Sequence, residues 1–463
     1  MSNMKLKPML AGVLACIITF VAPSASVAYV TVYGGPTYTP GVGGFRGGVV
    51  VRVNEAGIAV GNTDKYDSSD RGLGDRSFRW DASSAAPTEL GNLGVNPSGY
   101  TTVDIFDINN AGTVVGSAEK FNAAGATLGW RAVRWNASGT VAIELQNLGG
   151  NSSAEALNNA GTAVGNSGGR AARWDASGNV TELGNLGSGS RAVAINDAGT
   201  AVGSAKKPED LVVNDRAVRW NASVTAATEL GNLGTFSGLG QTEARDINDA
   251  GTAVGWAHKW TLAPNGAMAG YPHAVRWNAS GTAAIELGNL ASNDIESAAE
   301  AINNAGTAIG YIGQYDSANQ RETEHAVRWD ASGTATKLGN LGTGGGRPQD
   351  INNAGFAIGF LGARAVYWGL DAVAVDLNTL IDPAAGWTLT DAQDISDTGW
   401  IVGSGDFDPD GLGGQDAYRR MFLIHVPATA VPEPSSLVLL TLVVPALLVR
   451  RRSRPHPTAQ RCS

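Results

Sequence analysis

A single sequence unit recurs eight times along the chain, and this repetition constrains the fold more than any other feature. The unit reads D-I-N-N-A-G-T-A-V-G and, after a variable gap, R-A-V-R-W-D-A-S-G-T-x-T-E-L-G-N-L-G. Its Asn-x-x-Gly core lies at Asn54–Gly57, Asn109–Gly112, Asn158–Gly161, Asn196–Gly199, Asn248–Gly251, Asn303–Gly306 and Asn352–Gly355, with Ser396–Gly399 as a degenerate eighth copy. The spacing ranges from 38 residues (Asn158 to Asn196) to 55 residues (Asn54 to Asn109). Such a period indicates a repeat architecture, in which no unit buries its apolar face alone.

Each unit contains four short apolar segments separated by turn signals. In the second unit these are Ile105–Ile108, the T-V-V-G segment, R-A-V-R-W and the segment around Glu144–Leu148. The R-A-V-R-W segment alternates with period two, as a strand does. Asn-Asn/Asp-Ala-Gly and Asp/Asn-Ala-Ser-Gly combine a side chain that bonds the local backbone with a glycine able to take positive φ, which is typical of hairpin turns.

Four antiparallel strands repeated eight times predict an all-β fold, a β-propeller of eight four-stranded blades. A seven-bladed ring and a β-solenoid are the alternatives. The eighth unit lacks a fourth-strand motif, so we expect residues 29–33, Tyr-Val-Thr-Val-Tyr, to supply that strand and close the ring.

Two sets of repeated side chains have structural interpretations. The tryptophans that end the third strand are expected to pack between neighbouring blades, with Tyr418–Phe422 in the eighth place. They are Trp80, Trp135, Trp174, Trp220, Trp277, Trp329 and Trp368. The arginine before each of the first six tryptophans is expected to pair with the glutamate of the fourth strand, except in the sixth unit, where Lys337 replaces the glutamate.

The two ends of the chain indicate export. Residues 1–28 have the pattern of a signal peptide, with Lys5 and Lys7 before an apolar stretch and Ser26-Val27-Ala28 as the cleavage site. Both cysteines lie in the terminal segments, so disulfides and thiolate-bound metals are excluded from residues 29–427, the predicted propeller. The net charge of −9 argues against nucleic acid as a partner.

The C-terminus combines a linker with Pro432-Glu433-Pro434 (428–436), an apolar run (437–449) and a basic tail (450–463) that begins Arg450-Arg451-Arg452. The run is predicted to be a short transmembrane helix, with the arginines on the cytoplasmic side. These features resemble the PEP-CTERM sorting signal. The resemblance implies recognition by an exosortase, removal of the tail, and delivery to the cell surface or extracellular matrix; a simple C-terminal anchor is the alternative.

The repeats themselves resemble HAF repeats of bacterial extracellular proteins, through D-I-N-N-A-G-T-A-V-G and E-L-G-N-L-G over roughly residues 45–425. This resemblance implies a secreted repeat protein and carries no catalytic residues.

Candidate binding residues lie in the variable gaps between second and third strands, which fall on one end of the ring. The fifth gap is the richest, with Trp256, His258, Trp260, Tyr271 and His273. Exposed aromatic rings can stack on sugars, whereas the alternative is that they pack the gap onto the propeller.

A second candidate is the acidic segment of the eighth unit, with Asp406, Asp408, Asp410 and Asp416. Alternating aspartates before Gly411 are how a calcium loop begins, but its twelfth position is Ala417 rather than a bidentate acid. A calcium site and an ordinary acidic loop therefore remain the alternatives, and no other cofactor is expected.

Catalytic motifs are weak. Gly165–Gly169 matches G-x-S-x-G, but no helix pattern follows, so we interpret it as a hairpin. We therefore expect a non-enzymatic propeller that binds exopolysaccharide or a surface protein, or a purely structural matrix component. The alternative is a glycoside hydrolase or lyase with paired acids near the axis.

Overall fold

The computed structural model describes residues 29–39, 43–84, 86–209, 212–262, 268–316, 321–342, 345–411, 414 and 416–427. The predicted signal peptide, linker, transmembrane segment and basic tail lie outside the described residues, as do Pro432, Glu433, Pro434, Arg450, Arg451 and Arg452. Within the described ranges there are 33 β-strands and two 3-10 helices, Leu377–Thr379 and Pro383–Ala385. No helix in these ranges has the length and apolar character needed to cross a bilayer.

The strands form eight separate antiparallel sheets, the blades of a propeller. Blade 1 contains β2 (Tyr38–Thr39), β3 (Gly43–Val53), β4 (Ala59–Tyr66), β5 (Gly72–Trp80) and β6 (Thr88–Glu89), and blade 2 contains β7 (Val103–Ile108), β8 (Val114–Phe121), β9 (Thr127–Trp135) and β10 (Ile143–Glu144). Blade 3 contains β11 (Ser152–Leu157), β12 (Ala163–Ser167), β13 (Arg170–Trp174) and β14 (Val180–Glu182), and blade 4 contains β15 (Ser190–Ile195), β16 (Ala201–Glu209), β17 (Val212–Trp220) and β18 (Thr228–Glu229).

The second half of the ring follows the same order. Blade 5 contains β19 (Thr242–Ile247), β20 (Ala253–Leu262), β21 (Met268–Trp277) and β22 (Ile285–Glu286), and blade 6 contains β23 (Asp294–Ile302), β24 (Ala308–Asp316), β25 (Arg321–Trp329) and β26 (Ala335–Lys337). Blade 7 contains β27 (Gly346–Ile351), β28 (Ala357–Leu361), β29 (Arg364–Trp368) and β30 (Ala374–Asp376), and blade 8 contains β31 (Trp387–Ile395), β32 (Trp400–Phe407), β33 (Tyr418–His425) and β1 (Tyr33–Gly34).

The prediction of an eight-bladed propeller is confirmed, and the seven-bladed and solenoid alternatives are wrong. The first strands of successive blades contact one another around the whole ring, β31 contacting β3, so these strands line the axis. Among the described residues, blade 1 alone has a fifth strand, β2, which pairs with the start of β3. Blade 8 is completed by β1, with Tyr33 opposite Leu423 and Gly34 opposite Phe422. This confirms the predicted closure by the N-terminal segment, although the paired strand is Tyr33–Gly34 and not residues 29–33.

The Asn-x-x-Gly sequence folds as a tight turn between the first two strands of each blade. In blade 2 the Oδ1 of Asn109 accepts from the Thr113 N–H at 3.0 Å, and the Gly112 N–H donates to the Asn109 carbonyl at 2.8 Å. Gly112 has a φ of 82°, which a side chain with a Cβ rarely adopts. The turn therefore depends on both the Asn side chain and the Gly.

The tryptophans lie between blades, as predicted, and the indole N–H adds a hydrogen bond to the blade before. Trp220, for example, is fully buried, and its Nε1 donates to the Gly184 carbonyl of blade 3 at 2.9 Å. The same bond is made in six blades, by Trp135, Trp174, Trp220, Trp277, Trp329 and Trp368. In blade 8 the place of the tryptophan is taken by Ile424, which pairs with Ile401, and not by Tyr418–Phe422 as expected.

The predicted pairing of the arginines with the fourth-strand glutamates is wrong. Each arginine instead reaches into the next blade and donates to backbone carbonyls of its turns; Arg219, for example, donates to Ala279 at 2.9 Å and Asn278 at 3.1 Å. The six arginines that do so are Arg79, Arg134, Arg173, Arg219, Arg276 and Arg328. The glutamates pair with a cation further along the same blade, such as Lys120 with Glu144 at 2.6 Å.

Candidate functional site

The two ends of the ring differ in what they display. The turns after the first and third strands lie at one end, which we call the turn end. The connections between second and third strands, and the links between blades, lie at the other, which we call the hairpin end. The variable gaps at the hairpin end are regular β-hairpins rather than loops: in blade 5 the pairing of β20 with β21 continues from Ala253 opposite Trp277 to Leu262 opposite Met268.

Three of the five candidate residues of blade 5 share one face of this hairpin. Trp256, His258 and Trp260 alternate along β20 and are all half-buried. Ring centroids are 5.2 Å apart between Trp256 and His258 and 6.2 Å between His258 and Trp260. Phe236, from the link before blade 5, continues the series at 5.5 Å from Trp260. We call these four rings the aromatic strip.

The strip is held by contacts to backbone and side chain. Trp256 Nε1 donates to Glu243 Oε2 at 2.9 Å, which orients the indole. The Trp260 ring lies against Gly270 on the facing strand, where a Cβ would come within 2.9 Å of the indole. Burial and the neighbouring His273 lower the pKa of His258, so its ring is neutral at neutral pH. The strip therefore presents uncharged rings with restricted orientations.

The other two candidates lie on the opposite face of the hairpin. Tyr271 pairs with Lys259 and His273 with Ala257, out of register with the strip. His273 Nδ1 lies 2.9 Å from Glu286 Oε1, and Lys259 Nζ is 2.8 Å from the same carboxylate. Burial lowers the pKa of His273, with Glu286 opposing. The five residues predicted from the sequence therefore do not form one site, because a β-hairpin sends alternate side chains to opposite faces.

The acidic segment of blade 8 is partly engaged in its own turn. Asp408 Oδ1 accepts from the Gly411 N–H at 2.9 Å, and the Asp408 N–H donates to Gly386 at 2.8 Å. Asp406 lies opposite Arg419 in the strand register. Among the residues that the structure describes, no three His, Cys, Asp or Glu side chains are grouped as metal ligands would be. The Asp410 N–H donates to Asp408 Oδ1 at 3.4 Å, and the calcium site, including Asp416, stays a prediction.

The axis contains a ring of asparagines whose role the sequence analysis missed. At the turn end, the Nδ2 of each of seven asparagines donates to the carbonyl of its counterpart in the next blade at 3.0–3.2 Å, beginning with Asn54 and ending with Asn352, which donates to Ser396. The residue after each asparagine forms a second ring, in which its N–H donates to the side chain of the next blade. This second ring has eight members and closes where the Asp397 N–H donates to Glu55 Oε1 at 3.2 Å.

The two rings surround a funnel of about 310 Å³ at the turn end. Below the asparagines the funnel is lined by eight branched aliphatic side chains, one from each blade: Val53, Ile108, Leu157, Ile195, Ile247, Ile302, Ile351 and Ile395. Next to it along the axis is a chamber of about 250 Å³ lined mostly by charged side chains. The axis therefore has a polar mouth at the turn end and a charged chamber next to it.

Four aspartates and one arginine dominate the chamber, and they occupy the same repeat position. Asp107, Asp246, Asp350 and Asp394 each accept a backbone N–H of the following blade at 2.6–3.0 Å. Arg52 stands at this position in blade 1, and three alanines fill it in the remaining blades. The D-I-N motif thus contributes a link between neighbouring inner strands.

The chamber shifts the pKa values of Asp107, Asp246, Asp394 and Arg52. The three aspartates line the lumen and are half-buried. Burial raises the pKa of Asp107 and of Asp246 to about 6. Burial and the hydrogen-bonded Asp350 carboxyl raise the pKa of Asp394 well above its usual value. Burial alone would lower the pKa of Arg52, but the four aspartates raise it.

The Asp350–Asp394 pair does not match the paired carboxylates of a glycosidase. Such pairs stand about 5–9.5 Å apart to leave room for the sugar and the attacking group. Asp350 and Asp394 are in direct hydrogen-bond contact, and each also holds a backbone N–H. The chamber carboxylates therefore act as ties between blades.

No protein-family model and no curated protein sequence matches the chain. Solved propellers are similar at low identity. The propeller domain of the trilobed protease from Pyrococcus furiosus has 11% identity and a TM-score of 0.43, with 71% of this chain and 95% of that chain covered. The Dos1 propeller has 11% identity and a TM-score of 0.40, covering 86% and 95% of the two chains. A gluconolactonase from Xanthomonas campestris has 13% identity and a TM-score of 0.30, covering 58% and 84%. Similarity at this level carries no argument about activity.

Proposed function

We propose that this protein is a non-enzymatic binding module that engages polysaccharide through the hairpin end of its propeller. The observation that supports this most is the aromatic strip, Trp256, His258, Trp260 and Phe236. Its rings follow one another at 5.2, 6.2 and 5.5 Å, three along one face of the blade 5 hairpin and Phe236 from the link beside it. Rings spaced in series on one face can stack against successive sugar residues of a chain.

The electrostatics of the strip support the same ligand class. The rings carry no net charge, since burial keeps His258 neutral, and Phe236 is 41% exposed. Neutral, partly exposed ring faces favour contacts with C–H groups and weakly charged surfaces over strongly charged ones. A sugar ring offers such C–H faces together with hydroxyls that stay in water.

A hydrolase or lyase is the second candidate, and the acids of the axial chamber are the reason to test it. We do not favour it because four of those carboxylates accept backbone N–H groups of the neighbouring blade, and two of them, Asp350 and Asp394, also bond each other. For the cellular role we retain the expectation from the sequence: export, exosortase processing at Pro432-Glu433-Pro434, and display at the surface or in the matrix.

The test is a binding screen of the full chain against a panel of bacterial exopolysaccharides, with and without calcium. We expect retention on at least one glycan, no released oligosaccharide, and loss of binding in the Trp256→Ala/Trp260→Ala double variant. Tyr271→Ala is the matched control, because Tyr271 is on the same hairpin, 41% exposed, but on the other face.

Each contrary result has a distinct meaning. Release of oligosaccharide by the unmodified protein would overturn the non-enzymatic assignment. Equal loss of binding in the Tyr271→Ala control would show that the hairpin as a whole, and not the strip, carries the effect. Binding to no glycan would refute the proposal and leave a structural role or a protein partner.

A further inference from the structure

A cleft lies at the hairpin end, above blade 3, and it forms because the hairpin of this blade is short. The second and third strands of blade 3 have five residues each and are joined at Gly168–Gly169, whereas those of blades 2 and 4 have eight or nine. The hairpin of blade 3 therefore extends less far from the ring than the hairpins of blades 2 and 4. A cleft of about 760 Å³ opens there, within the range of small-molecule binding sites.

The floor of the cleft is held by backbone hydrogen bonds that join blades 3 and 4. The Ser190 N–H donates to the Gly169 carbonyl at 3.1 Å, and the Lys206 N–H donates to Gly189 at 2.8 Å. Ser190 Oγ accepts from the Ala171 N–H at 2.9 Å. An ideal Cβ on Gly169 would meet no atom within 4 Å, so the space above this residue is open. The cleft is a preformed feature of the ring.

The walls carry hydroxyl, amide and charged groups. Ser188, Ser204 and Asn166 supply neutral donors and acceptors, and Arg191, Lys206 and Asp215 supply charge. Arg191 Nη2 donates to Glu155 Oε2 at 2.9 Å, which fixes its guanidinium while its side chain stays 55% exposed. Lys206 is exposed on the wall from blade 4, opposite Asp215 in the strand register.

We propose that this cleft binds the acidic sugar of a polysaccharide, a uronic acid residue, with Lys206 and Arg191 facing its carboxylate. Hydroxyl and amide groups match the donors and acceptors of a sugar, and a cationic pair at one wall matches a carboxylate. The protein as a whole carries a charge of −9, and the lining contains two cations and one acid; Glu155 offsets the charge of Arg191, so Lys206 is the main cation for a ligand carboxylate. This inference deepens the proposed function by naming the class of polysaccharide.

Asp215 is the one acid in the lining, so its substitution should have an effect opposite to that of substituting Lys206. Removing its charge should strengthen the binding of an anionic ligand, while removing the charge of Lys206 should weaken it. A neutral ligand, or a ligand bound elsewhere, would show neither change or the same change in both variants. Lys337→Gln, on the exposed fourth strand of blade 6, removes the same charge as Lys206→Gln at a remote place and is the control.

The experiment measures binding of a galacturonic acid trisaccharide to the full chain by calorimetry, with its methyl-esterified form as the neutral counterpart. We expect the acid to bind more tightly than the ester, and the difference to shrink with added salt. Lys206→Gln should weaken binding of the acid about tenfold, as for loss of one charge-assisted contact, and Asp215→Asn should strengthen it. Lys337→Gln should leave it unchanged.

Failure of this inference and failure of the proposed function are distinguishable. If the Trp256→Ala/Trp260→Ala variant abolishes trisaccharide binding while Lys206→Gln does nothing, the cleft assignment is wrong and the strip stands. If free glucuronic acid still binds the Trp256→Ala/Trp260→Ala variant and competes with the trisaccharide, the cleft is confirmed independently of the strip. Equal affinity for acid and ester, no binding of the acid, or competition by citrate as strong as by glucuronic acid would each overturn the inference.

Discussion

The junctions between blades are of two kinds, and blade 8 separates them. Each of the six junctions from blade 1 to blade 7 is crossed by an indole N–H bonded to a carbonyl and by an arginine bonded to the carbonyls of the next blade. Blade 8 has Leu423 and Ile424 where the other units place these residues. Its two junctions keep the polar bonds near the axis, but at this outer position they have apolar clusters, with Leu389, Ile401 and Phe422 on one side and Trp80, Met421 and Leu423 on the other.

This difference indicates how a ring of repeats can have regular junctions and still close. Directional hydrogen bonds between identical units fix the angle from one blade to the next. The last blade must fit the space left between blades 7 and 1, and it must also pair with a strand from the other end of the chain. Apolar contacts suit that task, because they are non-directional and tolerate adjustment. Trp80 illustrates the change: its Nε1 is buried and has no acceptor among the described residues.

The largest effect should come from removing the closing strand. Deleting residues 29–34 removes the pairing of Tyr33 with Leu423, the Val30 N–H bond to Leu380, and the packing of Val30, Val32 and Tyr33. We expect a loss of stability on the order of 5 kcal/mol, from the apolar area and the hydrogen bonds together. Thermal unfolding should shift down by about 10 °C or more.

Its control is Tyr29→Ala, since Tyr29 lies in the same segment but is 49% exposed. That variant should leave the unfolding temperature nearly unchanged. An unfolding temperature for the deletion equal to that of the unmodified chain would contradict closure by this strand.

A pH-dependent effect should be the next largest, and it should differ between the two kinds of junction. Asp107 links blades 2 and 3, and Asp394 links blades 8 and 1. The folded-state pKa of each is raised, so its favourable contribution is full below the ordinary value and is lost as the pH rises through the raised one. For Asp107 that window runs from 3.8 to about 6.

Substitution by Asn removes the titration and keeps an oxygen that can accept the same backbone N–H. Relative to the unmodified protein, Asp107→Asn should therefore gain about 2 kcal/mol as the pH rises from about 4.5 to 7.5. Asp394→Asn should gain more, because Asp350 raises its pKa further. The measurement is chemical unfolding at both pH values. A gain for Asp107→Asn equal to that for Asp394→Asn would show that the Asp350 contact is unimportant.

The smallest effect isolates one hydrogen bond by comparing two tryptophans. Trp220→Phe loses aromatic area and the bond to the Gly184 carbonyl, while Trp80→Phe loses similar area and no bond. We expect Trp220→Phe to cost about 1 kcal/mol more than Trp80→Phe, the net value of a buried hydrogen bond. Denaturant unfolding measures both; equal costs would mean that the indole bond adds nothing to the regular junctions.

The sequence predicts the parts of this fold that repeat with the same residues. The Asn-x-x-Gly turns, the tryptophans and the missing fourth strand of blade 8 all have local chemistry that indicates their structure. The arginine contacts were mispredicted, because their acceptors are backbone carbonyls of another blade and leave no trace in side-chain patterns. Arg52 and the chamber aspartates were missed because their repeat position varies among acid, base and alanine.

The candidate site was predicted less completely, also for a physical reason. The aromatic content of the fifth gap is visible in the sequence, but the strand pairing within the gap is not. Once it is a hairpin, alternation places Trp256, His258 and Trp260 together and sends Tyr271 and His273 away. The cleft above blade 3 was not foreseen, because it arises from a difference in length between neighbouring hairpins rather than from any motif.

The asparagine ring has a consequence for how such a protein can change its size. Every repeat brings one donor for the next unit and one acceptor for the unit before, and both point the same way around the axis. A duplicated repeat inserted into the series would thus find its partners already in place, and a deleted one would leave two matching neighbours. The hydrogen bonds between the turns therefore do not depend on the number of units. The count of eight is set where the chain must meet its own beginning, at the one blade that does not follow the rule.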